Sequence, residues 1–360
     1  MLTNPKTTQL QHIIREDDLL SLVEGLVGQR KVIGPVARGD RFFYQEISRA
    51  SDLDLSFNYC TYSVRSVLFP AVETLFTFDH DHGRFTPNAV MDDRPTALIG
   101  VHPCDLHAIR LLDRVFETDH RDEHYLARRH STFIVGVDCV RPCATDAFCH
   151  DMHTDSADEG FDVMLYPLST QNTANRRYGV VVGSDAGRQW IESGHAVRPT
   201  EDDQRMFVHY LRHKSAAFTK QLESDCEELP AMLRRSYDSL LWEGTAQRCY
   251  SCGSCNLVCP TCYCFNITDD LSLNGDTGAR TREWDSCMLH DFASVAGGHN
   301  FRAKTSQRLR HRVFRKAAWI HERSGLAGCV GCGRCDRACT AKISMVEMLN
   351  QLAEEDTDDR

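Results

Sequence analysis

Apolar and polar positions alternate along the chain with two different periods, and the change from one to the other divides it. A 3.6-residue period over Glu16 to Val27 predicts a helix, and short β-rich stretches follow at Lys31–Ile33 and Arg41–Ile47. From Thr96 the run Ala97-Leu98-Ile99-Gly100-Val101 reads as a buried strand. A helix over Asp105 to Phe116 carries Leu106, Ile109, Leu112 and Phe116 on one face, and Phe133 to Val137 forms a second buried strand. This strand, helix, strand order predicts a parallel pair with a right-handed crossover, joined by a third strand at Tyr178–Val182. Helical patterns recur at Asp203–Gln221 and Leu229–Trp242. A basic helix is predicted from Arg302 to Arg323, while the Gly, Asn and Asp content of Ser272–Thr281 predicts a loop, and the acidic end from Glu354 to Arg360 a frayed tail.

The expected architecture is an α/β N-terminal domain with a partly parallel sheet, followed by a mainly helical, ferredoxin-like two-cluster domain. Expected boundaries are 1–200 for the α/β domain, 201–246 for a helical connection, 247–350 for the dicluster domain and 351–360 for the acidic tail. A chain of 360 residues with 42% hydrophobic content can bury a core in each domain. The N-terminus shows no secretory leader, and no apolar run approaches the ~18 residues of a bilayer span. A cytoplasmic protein with reduced thiols and no direct membrane insertion is therefore expected. The formal net charge of -10 argues against nucleic acid as a partner. Charge is nevertheless uneven: Arg280 to Arg323 holds ten Lys or Arg against four Asp or Glu, which predicts a surface or pocket for something anionic.

Eleven of the seventeen cysteines follow residue 248. Cys249, Cys252, Cys255 and Cys259 stand as C-x2-C-x2-C-x3-C-P, and Cys329, Cys332, Cys335 and Cys339 repeat the spacing with Thr340 in place of the proline. This is the bacterial ferredoxin run, in which the fourth thiolate of each motif serves the other cluster. One 4Fe-4S cluster is thus assigned to Cys249, Cys252, Cys255 and Cys339, and a second to Cys329, Cys332, Cys335 and Cys259. Structural zinc is the competing use of such thiols, but four cysteines in an eleven-residue run suit it poorly. Cys104 and Cys139 fall just after two neighbouring parallel strands, at the edge where open α/β sheets place ligands. With Cys143 and Cys149, and with Cys264 and Cys287 facing them, they define a candidate third iron-sulfur or sulfur-handling site; buried, structural thiols are the alternative. No catalytic residue is assigned. Dinucleotide, NTP, zinc-protease and serine-hydrolase motifs are absent from the sequence.

The segment from Gly100 to Ile109, with its His102-Pro103-Cys104-Asp105-Leu106 core, the segment Cys249 to Cys264, Trp284-Asp285-Ser286-Cys287 and the final cysteine cluster resemble the dicluster iron-sulfur subunit shared by cytoplasmic sulfhydrogenases and anaerobic sulfite reductases. In that family the beta subunit of NADP-linked nickel-iron hydrogenases and the A subunit of the reductases play similar roles. The resemblance implies an electron-transfer subunit with two 4Fe-4S clusters, working between a flavin, NAD(P)H-linked reductase subunit and a hydrogenase or sulfite reductase catalytic subunit. Family members tend to read Cys-Phe-Cys where this chain has Ala147-Phe148-Cys149, so Cys143 would replace one thiol if both served as ligands. The alternative function is a sulfur or polysulfide reductase acting through the sheet-edge cysteines.

Overall fold

The computed structural model describes residues 9–81, 84–168 and 176–358. Residues 1–8, 82–83, 169–175 and 359–360, which fall within the expected first domain and the expected tail, lie outside the described residues. The strands are β1 (His12–Arg15), β2 (Lys31–Arg38), β3 (Arg41–Glu46), β4 (Val72–Asp81), β5 (Arg84–Ala89), β6 (Thr96–Val101), β7 (Thr132–Val137), β8 (Val163–Pro167), β9 (Arg177–Val182), β10 (Phe265–Leu271) and β11 (Thr277–Trp284). A seven-stranded mixed sheet runs in the order β1-β9-β8-β7-β6-β2-β3, and its four middle strands β8, β7, β6 and β2 are parallel. Every residue of β6 and β7 is buried, as expected of a sheet covered on both faces. Leu98 and Ile134 face the helices Pro103–Glu117, Glu123–His130 and Glu201–Ala217, whereas Ala97, Ile99 and Val135 face Glu16–Val27 and Asp185–Glu192. The period-two alternation of strand side chains produces these two cores.

The predicted crossover unit is present, from β6 through Pro103–Glu117 to β7. Gly100 has φ +79°, where the β6–β7 register shifts, and its carbonyl accepts a hydrogen bond from the Tyr44 hydroxyl at 2.8 Å. A Cβ at Gly100 would come within 3.0 Å of Pro35, so both the backbone and the space favour glycine there. The kink delivers Val101 into His102-Pro103, and Pro103 opens the helix at a position where a missing N–H costs nothing.

Two expectations are corrected and a third is narrowed. The predicted loop Ser272–Thr281 is only the turn of a hairpin, because β11 begins at Thr277; with β10 it joins β4 and β5 in a four-stranded sheet ordered β10-β11-β4-β5. The dicluster region, mainly helical as expected, thus also contributes a hairpin that pairs with strands from the first hundred residues. The acidic end is not frayed over its described length: a helix continues from Met345 to Asp358, with Asp356 accepting from Arg235 at 2.7 Å and Glu355 from Ser239 at 2.6 Å. The basic helix is a composite of Thr305–Phe314, a π-helical turn Arg315–Trp319 and Ile320–Ser324, and of the expected surface or pocket it offers a pocket: Arg308, Arg312 and Lys316 are buried. Its apolar residues Leu309, Val313 and Phe314 join Trp242, Met232 and Leu352 in a third core. Among the described residues no helix is long and apolar enough to cross a membrane.

Candidate functional site

Both cysteine motifs are built as a turn opening a short helix. Gly253 (φ +78°) and Gly333 (φ +65°) occupy the left-handed N-cap positions of Ser254–Leu257 and Arg334–Ala338, and the two helices pack against each other. A Cβ on Gly333 would meet the Asp146 carbonyl oxygen at 2.3 Å, and one on Gly331 the Phe148 carbonyl oxygen at 2.5 Å. The second turn is thus pressed on the loop that follows β7. Phe148 N–H donates to the Gly331 carbonyl at 2.7 Å, and the Thr154 hydroxyl donates to Val330 O at 2.7 Å.

Cys259 comes from the first motif, yet it shares a cavity with Cys329, Cys332 and Cys335 of the second. The cavity is lined by these four cysteines, by Phe148, Pro260, Val330 and Met345, and by Arg312 and Lys316. The other set is more open. Cys249, Cys255 and Cys339 rest against the helical core, with Cys249 beside Cys255, and Cys252 is exposed. Four cysteines lining one apolar pocket with two cations suit an anionic iron-sulfur cubane, because soft thiolate ligands select such clusters and the cations offset their charge.

The thiols respond to these surroundings. Burial pushes Cys329 up to about 12. A hydrogen bond from Cys262 holds Cys259 well below the usual thiol range, with Lys316, Thr261 and Arg312 adding to that effect. Cys264 is lowered to about 6, chiefly by a hydrogen bond from Cys287, then by Arg315 and Lys316. Asn256 ties the neighbourhood together, donating to Cys287 Sγ at 3.1 Å and Ser286 Oγ at 2.9 Å while accepting from Arg312 Nε at 3.1 Å.

The six candidate third-site cysteines fall into two groups. Cys104, Cys139 and Cys149 pack with Cys332 in one small buried cluster, and Cys143 acts electrostatically on Cys139 and Cys149. Burial raises the pKa of all four. Cys264 and Cys287 instead pair with each other, and Cys287 lies on the Cys255 side. Cys60 is buried behind the second motif, its carbonyl accepting from Arg334 Nε at 3.0 Å.

Sequence patterns missed the polar partners that hold this arrangement. Arg334, between two motif cysteines, donates to both Asp105 carboxylate oxygens at 2.8 and 2.7 Å, and neither side chain is exposed. Lys214 reaches Asp138, the residue before Cys139, at 2.7 Å, where the Tyr210 hydroxyl also donates. Arg65 donates to the carbonyls of Cys262 (2.6 Å) and Leu257 (2.7 Å) while its guanidinium lies 3.6 Å from the centre of a Trp284 ring. The i, i+4, i+8 spacing of Arg308, Arg312 and Lys316, beside the equally spaced apolar Leu309, Val313 and Ala317, was the one available signal that these cations face inward.

A 4Fe-4S dicluster domain matches residues 248–343, the stretch that carries both motifs. Sulfhydrogenase 2 subunit beta of Pyrococcus furiosus is 32% identical over 288 residues, covering 79% of this chain and 82% of its own length. The chain belongs to the sulfhydrogenase beta-subunit family. No solved structure matches it. The alignment is longer than the dicluster domain by far, so this sulfhydrogenase beta-subunit homologue shares part of the α/β region with its relative as well as the cysteine motifs.

Proposed function

We propose that this chain is the iron-sulfur electron-transfer subunit of a sulfhydrogenase-like complex, relaying electrons between a flavin, NAD(P)H-linked subunit and a hydrogenase or sulfite reductase catalytic subunit. The observation that carries this reading is the convergence of Cys259 with Cys329, Cys332 and Cys335 on one cavity. The reading gives the other cluster to Cys249, Cys252, Cys255 and Cys339, and is supported by Cys249, Cys255 and Cys339 resting against one helical core. Cubanes held there would accept and pass on single electrons. The chain's own residues fix the thiols on packed short helices, cover the inner set with Phe148 and Met345, and leave Cys252 at the surface, where a partner can approach.

Anaerobically purified protein should contain at least about eight irons and eight acid-labile sulfides per chain. Cys259→Ser should remove the signal of the Cys329 cluster and spare its partner. Zinc alone in the purified protein, or signal loss confined to the Cys249 set, would count against the crossed assignment. Electrons should flow from NAD(P)H to an artificial acceptor only when a flavin subunit is added.

We assign the grouping of Cys104, Cys139, Cys143 and Cys149 beside Cys332 to a third redox site, an extension of the same path. Cys104 and Cys149 are each 7% exposed, which suits a closed cofactor better than a sulfur substrate arriving from solvent. Cys104→Ala should lower the iron content by up to one cubane while both ferredoxin-type signals persist. Unchanged iron and electron transfer in that variant would make Cys104 a packing residue.

A further inference from the structure

The helix Thr305–Phe314 and its π-helical continuation bring Arg312 and Lys316 to the cavity wall. Gly328 is part of why the wider turn fits: a Cβ there would meet the Lys316 carbonyl oxygen at 2.6 Å and the Arg315 carbonyl oxygen at 3.1 Å. Arg312 is 5% exposed and Lys316 3%. Their hydrogen-bond partners are neutral: Asn256 Oδ1 at 3.1 Å for Arg312, Thr261 Oγ1 at 2.7 Å for Lys316. Thr261 in turn donates to the Gly328 carbonyl at 2.7 Å and lies 3.3 Å from Cys259 Sγ. Among the described residues neither cation forms an ion pair with a carboxylate.

A buried cation with no opposite charge is strongly unfavourable, so the negative charge must come from the cysteines and what they hold. Arg312 lines the cavity of the inner set and bonds to Asn256, the neighbour of Cys255 in the first motif, so it stands between the two motifs. Lys316 lines the same cavity and reaches Thr261, whose hydroxyl oxygen is 3.3 Å from Cys259 Sγ, so it stands at the inner set.

We infer that Arg312 and Lys316 are fixed counter-charges that set the reduction potentials of the iron-sulfur pair, Arg312 acting on both clusters and Lys316 mainly on the one at Cys259, Cys329, Cys332 and Cys335. The inference rests on the two-cluster reading proposed above. Cluster potential follows net charge, hydrogen bonding and exposure. An electron entering from a partner's redox centre adds negative charge to a buried site, and a cation held beside it favours the reduced form. No bond forms or breaks, and both cations keep their protons, so the electron moves without a coupled proton. Both are positioning residues, since they act through the thiolate-bound group.

The test is an EPR-monitored potentiometric titration of the full chain, purified anaerobically, with iron and sulfide counted in each preparation. Lys316→Gln keeps a donor for Thr261 and removes the charge. At a fixed potential it should lower the reduced-to-oxidised ratio of the inner cluster at least tenfold, equivalent to 59 mV for a one-electron couple, and change the other less than threefold. Arg312→Gln should lower both ratios. Lys316→Arg and Arg312→Lys should stay within threefold of wild type. Iron lost from the Gln variants but kept by the charge-conserving ones also supports the inference, since retention then follows charge. Unchanged ratios in iron-loaded Gln variants would overturn it, as would equal iron loss from Gln and charge-conserving variants. A wild-type chain that binds no iron defeats the two-cluster reading instead, and the iron count distinguishes that failure from the other.

Discussion

Two regions of this molecule bury basic side chains, and they neutralise them differently. Around the two sheets such cations meet carboxylates: Lys214 meets Asp138, Arg128 and Arg282 share Glu73 with Asp122 added at Arg282, and Arg334 reaches from the second motif to Asp105 beside the main sheet. Around the cysteine motifs Arg65, Arg308, Arg312 and Lys316 are as deeply buried, but they bond to carbonyls, hydroxyls and an amide. Among the described residues none of these four has a carboxylate partner. The sheet region is electrostatically complete as a polypeptide. The cysteine region carries a positive excess that suits an anionic guest, and the local surplus of Lys and Arg in the sequence acquires a physical reason.

Removing the iron by anaerobic chelation should break the comparison most severely, because Arg312 and Lys316 would lose the counter-charge proposed for them together. The expected cost is on the order of 5 kcal/mol or more. In hydrogen-exchange measurements it should appear as lost protection over Thr305–Phe314 with β6 and β7 still protected; uniform loss would show that the two regions share one electrostatic balance. Asp105→Ala should mimic this at the sheet edge by orphaning Arg334, at about 3–5 kcal/mol in denaturant unfolding. Restoring most of that loss with Asp105→Leu plus Arg334→Met would confirm that the penalty lies in the unpaired charge.

A smaller effect follows from His102, stacked on Phe57 at 4.3 Å between ring centres and lowered by burial to about 3. The unfolded chain takes up this proton near pH 6.5, whereas the folded chain stays neutral, so stability is intact above that pH and falls as the pH drops toward 3. Between pH 7 and pH 5 the loss should be about 2 kcal/mol, and His102→Phe should flatten the slope in urea titrations at several pH values. The smallest expected change is Tyr44→Phe, which removes the hydrogen bond to the Gly100 carbonyl. It should cost about 1 kcal/mol by thermal unfolding and leave any iron-sulfur spectrum unaltered.

The sequence shows the buried strands β6 and β7 and the crossover helix plainly, because continuous apolar runs and a 3.6-residue stripe are local signals. The sheet built from β10, β11, β4 and β5 is hidden, since β10 alternates polar residues with exposed apolar ones and its stability depends on β4, far away in the chain. The cysteine spacing names the chemistry. It does not reveal the inner and outer characters of the two sets, which depend on the loop from Ala144 to Thr154 covering Cys332 and leaving Cys252 open. The basic helix reads only as a surface or a pocket for something anionic until its partners are visible, and the spacing of Arg308, Arg312 and Lys316 is its single hint of an inward face.

The pairing of β4 with β11 also bears on how the chain is made. Glu73 and Arg282, partners in that sheet, are separated by 209 positions. A ribosome adding ~5–20 residues per second would expose the β4 edge for roughly 10–40 s before its neighbour emerges. The first cysteine motif is made only near the end of that interval, and the second follows after it. Metal loading of the proposed crossed pair would therefore belong to the end of synthesis, and an unpaired β4–β5 ribbon is the segment a chaperone would have to guard until then.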